Sequence, residues 1–147
     1  MNIYIGADHR GFELKERIKK SLGEESVFDM GAITQNPQDD FVDFAALVGQ
    51  KVASDKDARG ILICGSGAGM CIAANKLSGI RCSVGHSAEE VVACRHDDDI
   101  NVLALSSDFV TSDEALAMVK AFLTTPFTPE ERFIRRIAKI MELERHA

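Results

Sequence analysis

The chain lacks a C-x-x-C pair, an apolar run of membrane-spanning length and any excess of positive charge. Cys64, Cys71, Cys82 and Cys94 show no zinc-like spacing. A chain of 147 residues also buries enough core to need no disulfide framework. Free thiols in a reducing cytoplasm are therefore expected. The longest apolar runs fall far short of the ~20 residues a bilayer requires, so no membrane association is expected. Met1-Asn2-Ile3 opens directly in strand-like sequence, which predicts no secretory leader. A net charge of −6 argues against a nucleic-acid partner, because phosphate backbones need a basic surface. A small anion held by a few local arginines remains compatible with it. Repeats, linkers and low-complexity tracts are missing too, so a single domain over 1–147 is expected.

What is present is an ordinary globular composition, 46% apolar and 27% charged, in which strand-like and helix-like segments alternate from end to end. Strands are expected at 2–6, 26–29, 60–64, 80–84 and 101–105. Helices are expected at 12–22 and 41–53, from 70 to 76, up to about 95, up to about 123, and from 128 onward. Leu14, Ile18 and Leu22 share one stripe of the first helix. Phe44, Leu47, Val48 and Val52 are expected to face inward on the second, and Ile137, Ile140 and Met141 to meet an apolar partner on the last. Ser87 with Glu90, Thr111 with Glu114, and Thr128 with Glu131 read as capping boxes, the third with Pro129 at the first helical position. This alternation predicts an α/β fold, a five-stranded parallel sheet with helices on both faces. Ligands of such sheets sit at the carboxyl ends of the strands near a topological switch point. Residues 6–11, 64–69 and 106 onward would fall there.

The segment Gly60-Ile61-Leu62-Ile63-Cys64-Gly65-Ser66-Gly67-Ala68-Gly69-Met70 carries the most chemistry. Its apolar run reads as a buried parallel strand. The alternate glycines let the backbone turn tightly and bring its N–H groups close to a bound group. A helix starting just beyond would draw negative charge to those N–H groups and favour the thiolate of Cys64. The segment thus offers a base or nucleophile beside an anion cradle, although Cys64 alone would read as a small apolar residue closing a strand. A nucleotide reading is weaker. The G-x-G-x-x-G pattern fails at Met70, no acidic residue ends the next strand, and no Gly-Lys-Ser/Thr follows.

Asp8 and His9 end the first strand, either as a turn residue and a solvated histidine or as groups that hydrogen-bond hydroxyls or a phosphate. Arg132 and Arg136 share a helix face, either as a solvated basic stripe or as a two-pronged phosphate clamp. Asp97-Asp98-Asp99 reads as an acidic turn in preference to a divalent-metal site, and no metal is expected.

On these residues the chain resembles the type B ribose-5-phosphate isomerase and galactose-6-phosphate isomerase family over nearly its whole length. Gly6-Ala7-Asp8-His9-Arg10-Gly11-Phe12-Glu13-Leu14-Lys15 is similar to the family's opening signature. Asp40-Phe41-Val42-Asp43-Phe44-Ala45 is similar to its D-Y-P-D-x-A element, with the tyrosine and proline lost. The most specific match runs from Gly60 to Met70 and on through Ala73-Ala74-Asn75-Lys76 and Gly79-Ile80-Arg81. The resemblance implies a flavodoxin-like three-layer α/β/α sandwich with a C-terminal helical extension. It also implies a homodimer with shared active sites, and leaves open whether dimers pair into tetramers. The implied activity is aldose–ketose isomerisation of sugar phosphates through an enediolate, without a cofactor, with ribose 5-phosphate and ribulose 5-phosphate as the default pair. By resemblance Cys64 is the base and Ser66 a proton relay or substrate contact, while the N–H groups of Gly65, Gly67, Ala68 and Gly69 form an oxyanion hole. Asp8 would bind sugar hydroxyls, and His9, Arg132 and Arg136 the phosphate.

Three positions depart from the family's pattern. Its R-x-H-N-D-x-N element reads Arg95-His96-Asp97-Asp98-Asp99-Ile100-Asn101 here. Asp97 therefore stands at the ring-opening histidine, with His96 one residue off, and Asp98 at a substrate-binding asparagine. Asp108 stands where many members carry another phosphate-contacting arginine. A sugar phosphate that cannot cyclise, such as a tetrose 4-phosphate, would need no ring-opening acid. Isomerisation of another short-chain sugar phosphate is thus one alternative, and a catalytically silent sugar-phosphate binder a second.

Overall fold

A computed structural model describes residues 1–23 and 27–145. Its strands are β1 (Ile3–Ala7), β2 (Val27–Asp29), β3 (Arg59–Cys64), β4 (Cys82–Val84) and β5 (Val102–Ser106), all parallel and ordered β2-β1-β3-β5-β4. The helices are α1 (Phe12–Leu22), α2 (Phe41–Ser54), α3 (Ala68–Ala74), α4 (Ala88–Asp98), α5 (Ser112–Thr124) and α6 (Glu131–Glu144). No described helix is long and apolar enough to cross a membrane.

Side chains alternate faces along a strand, and two cores result. Ile61, Ile63, Leu103 and Leu105 pack with Ile18 of α1, Val91 of α4 and Met118 and Phe122 of α5. Leu62, Cys64, Val102 and Ala104 pack with Val48 and Val52 of α2 and Met70 and Ala74 of α3. The result is a flavodoxin-like three-layer α/β/α sandwich. Each fully buried aliphatic side chain contributes about 2 kcal/mol. The chain leaves β1 toward β2 and then returns past β1 to β3, so the switch point lies between β1 and β3. Because β5 and not β4 pairs with β3, Cys64 lies opposite Ser106.

Several local expectations are corrected. Position 26 of the second strand lies outside the described residues. The fourth strand begins two residues later than expected, and α3 starts two earlier, at Ala68. Thr111 and Glu114 form a reciprocal capping box, and Ser87 accepts from the Glu90 N–H. The Thr128 box does not form. The Thr128 N–H donates to His96 O at 3.1 Å, drawing this stretch onto the end of α4, and Glu130 stays extended, so α6 begins at Glu131. Leu47 is exposed, as are Ile140 and Met141 at 41% and 45%, because no described element covers those faces.

One buried charge anchors the loop that follows β2. Lys15 is fully buried and donates to both carboxylate oxygens of Asp29 and to Ala32 O, each at 2.7 Å. Burial alone would raise the Asp29 carboxyl. The bonds from Lys15, Lys19 and the Gly31 N–H outweigh it and hold the group below its usual range.

Candidate active site

The three expected loops do meet at the carboxyl ends of β1, β3 and β5. The Asp8 N–H donates to Ile63 O at 3.2 Å, joining the first loop to β3. The Ser107 N–H and Oγ donate to Cys64 O at 2.9 and 3.1 Å, and Ser106 Oγ donates to Ser66 O at 2.8 Å. Arg10 and Asp108 form an ion pair across the first and last loops. The Arg10 guanidinium lies against Gly65, where an added methyl would collide with it. Phe41, at the start of α2, lays its ring on Gly69.

Cys64 is 5% exposed, set just beneath the loop it introduces. Its Sγ accepts the Gly67 N–H at 3.2 Å. Gly67 has φ +74°, a left-handed conformation that glycine adopts without a Cβ penalty, and this turn aims its amide back at the sulfur. The loop's amides are divided. Gly67's amide serves the sulfur, and Ala68's faces Ser66 Oγ at 3.4 Å, whereas those of Gly65, Ser66 and Gly69 have no protein acceptor among the described residues. Ser66 is exposed at the loop's outer side.

Asp8 is buried, and its Oδ1 accepts the N–H groups of Arg10 and Gly11, both at 3.0 Å. One carboxylate oxygen thus shapes the turn, as the plainer reading of that residue has it. His9 donates its backbone N–H to Asp39 Oδ1 at 3.2 Å, and its Nδ1 lies 2.6 Å from the same oxygen. Gln35 Nε2 donates to His9 O.

The remaining candidates lie elsewhere. Helices of this fold run antiparallel to the strands, so α4 ends beside the amino ends of the sheet. His96 sits about 12 Å along α4 from its crevice-side start, at 1.5 Å per residue. His96 Nδ1 meets Asp97 Oδ1 at 2.6 Å, and its ring stands edge-on to Phe133 of α6. Asp98 O accepts from Arg81 Nε at 3.2 Å, and Asp99 pairs with Arg81 and Arg95, so the acidic run is tied into the amino-end corner. Arg132 packs its guanidinium on Phe133 and bonds Glu130, and Arg136 is exposed one turn on. Within one chain, His96, Asp97, Asp98, Arg132 and Arg136 are therefore not brought to Cys64.

The model of the family described as Ribose/Galactose Isomerase matches residues 3–140. The chain belongs to the ribose/galactose isomerase family. Within it, the crystal structure of ribose-5-phosphate isomerase B from Mycoplasma genitalium with bound ribulose-5-phosphate is 41% identical. It aligns over 99% of this chain and 97% of its own with a TM-score of 0.94. Ribose-5-phosphate isomerase B from Clostridium thermocellum is 39% identical over 99% of both chains, with a TM-score of 0.93. A probable ribose-5-phosphate isomerase B of Mycoplasma pneumoniae is 40% identical over 97% of this chain and 95% of its own.

Asp39, Gln35 and the Arg10–Asp108 pairing were not foreseen from the sequence. Topology held a signal for Asp39, since the loop leaving β2 must emerge at the same carboxyl end as Cys64. Nothing in the sequence pairs position 10 with position 108.

Proposed function

We propose that this chain interconverts ribose 5-phosphate and ribulose 5-phosphate as a cofactor-independent aldose–ketose isomerase. Its likeness over 99% of its length to the Mycoplasma genitalium enzyme holding ribulose-5-phosphate carries that reading. In the proposed reaction the Cys64 sulfur, as thiolate, takes the proton alpha to the carbonyl. The C–H electron pair becomes the C=C bond of an enediolate, and the carbonyl π pair moves onto oxygen. The free N–H groups of Gly65, Ser66 and Gly69 hydrogen-bond that oxygen. The proton then returns to the neighbouring carbon. Ser66 Oγ, at the rim, relays a proton between the two oxygens. Asp8 holds sugar hydroxyls through the oxygen its turn leaves over.

The rest of the site comes from a second copy in a homodimer. Two observations support this. The arginines and the His96–Asp97 pair sit at the opposite end of the sheet from Cys64, and α6 exposes Ile134, Ile140, Met141 and Leu143 along an uncovered face. A two-fold axis would lay the partner's α6 and the end of its α4 over the crevice. Arg132 and Arg136 then clamp the phosphate with His9, Asp98 contacts the sugar, and His96 with Asp97 opens the furanose ring. Four free thiols support residence in a reducing cytoplasm.

Solvent deuterium exchange into ribose 5-phosphate tests the reading: an isomerase incorporates label, and a silent binder does not. His96→Ala and Asp97→Asn should each slow turnover of ribose 5-phosphate; no effect from either removes the ring-opening role. Asp97 at the ring-opening position favours one second reading, a substrate that cannot cyclise. A panel of four- to six-carbon sugar phosphates separates the two, since the second reading requires the highest kcat/KM on a tetrose 4-phosphate.

A further inference from the structure

The contact between Asp39 and His9 has no place in the reaction above. Asp39 enters from the loop after β2, is only 9% exposed at its side chain, and gives one oxygen to both the backbone N–H and Nδ1 of His9. Its other oxygen, Oδ2, is buried with no hydrogen-bond partner among the described residues. An ionised carboxylate in that setting is costly unless a cation faces it. The only titratable group bonded to it among the described residues is the imidazole of His9. With Nδ1 engaged, Nε2 is the nitrogen left to the 29% of the His9 side chain that reaches solvent at the crevice.

We propose that Asp39 is a positioning residue that holds His9 as an imidazolium, with Nδ1–H given to Asp39 and Nε2–H presented to the phosphate of the substrate. This rests on the isomerase reading for the substrate, but not for the anion contact itself. Both ring nitrogens must act as donors for this, which only the protonated ring allows. A charge-assisted bond to a phosphate oxygen follows. The arrangement supplies a cationic donor from the chain's own crevice, where the Arg10 guanidinium is already engaged with Asp108.

The test measures inorganic phosphate binding, from the rise in thermal midpoint, together with KM and kcat on ribose 5-phosphate. The proteins are the wild type, Asp39→Asn, His9→Gln and the double variant. Asparagine keeps an acceptor for the His9 backbone N–H while removing the charge. Asp39→Asn should raise the phosphate Kd and the KM roughly tenfold with kcat nearly unchanged. In the His9→Gln background it should add nothing. Unchanged phosphate affinity, an equal loss in that background, or a fall in kcat alone would overturn the proposal. Nitrogen-15 spectra of wild-type histidines supply a readout that needs no variant: both His9 ring nitrogens must be protonated with phosphate bound, and a bare Nδ1 overturns it. A protein that binds phosphate through this pair yet exchanges no solvent hydrogen refutes only the isomerase reading. One that binds no phosphate refutes the pair.

Discussion

The two ends of the sheet are built on different terms. At the carboxyl end, three loops are bonded to one another through Ile63, Cys64 and Ser66, and a half-exposed ion pair, Arg10–Asp108, spans them. At the amino end, the α4–α6 corner leaves His96 and Asp97 half-exposed and Arg132 and Arg136 exposed beside an open apolar face. One end is finished inside the chain. The other carries groups whose chemistry has no object within the same chain. An enzyme assembled from two such copies can keep a rigid reaction centre in each and take the substrate's charged end from its neighbour.

The largest expected break in this comparison is at the finished end. Cys64→Ala should lower kcat by roughly 10³-fold while leaving sugar-phosphate binding measurable by calorimetry. Turnover within a few-fold of wild type would remove the sulfur from the mechanism. At the open end, Arg136→Ala should weaken substrate binding, and mixing it with Cys64→Ala chains should restore activity above either alone. Mixtures that show only the sum of their parts would place both groups in separate sites. The double substitution Ile140→Glu with Met141→Glu should convert the protein to a monomer in analytical ultracentrifugation, with turnover lost alongside.

The buried anchor behind the crevice loops should respond to acid. Asp29→Asn leaves Lys15 buried without its carboxylate and should cost about 3 kcal/mol in urea unfolding. Because the folded Asp29 carboxyl lies below its usual 3.8, its stabilisation is present above that pH and disappears as pH falls through the lowered value. The wild type should therefore lose stability below pH 4 by a component absent from Asp29→Asn. The smallest effect belongs to Arg10–Asp108, a half-exposed pair worth less than about 1 kcal/mol. Asp108→Asn should scarcely move the thermal midpoint and should lower KM about twofold by removing a negative charge near the phosphate. A rise in KM would mean instead that Asp108 aims Arg10 at the substrate.

Much of the fold was legible because its causes are local. The continuous apolar run within 60–64 marked a central strand, and Thr111 with Glu114 fixed the start of α5 to the residue. Thr128 failed because a long-range bond to His96 O, invisible to local pattern, outweighed a local cap. Ile140 and Met141 were expected to meet an apolar partner, but no described element of the chain covers them. The glycine loop was placed correctly, whereas the division of its amides between sulfur, Ser66 and solvent depends on a single left-handed residue, Gly67.

The sequence by itself determined the strand–helix alternation, the glycine-flanked cysteine and the family, because hydrophobic period, capping and backbone freedom act over a few residues. Only the tertiary structure decided that β5 lies beside β3, that Asp39 reaches His9, and that the phosphate-clamp candidates face away from Cys64. Those outcomes come from how the layers pack and how the strands are ordered, and no local spacing encodes them.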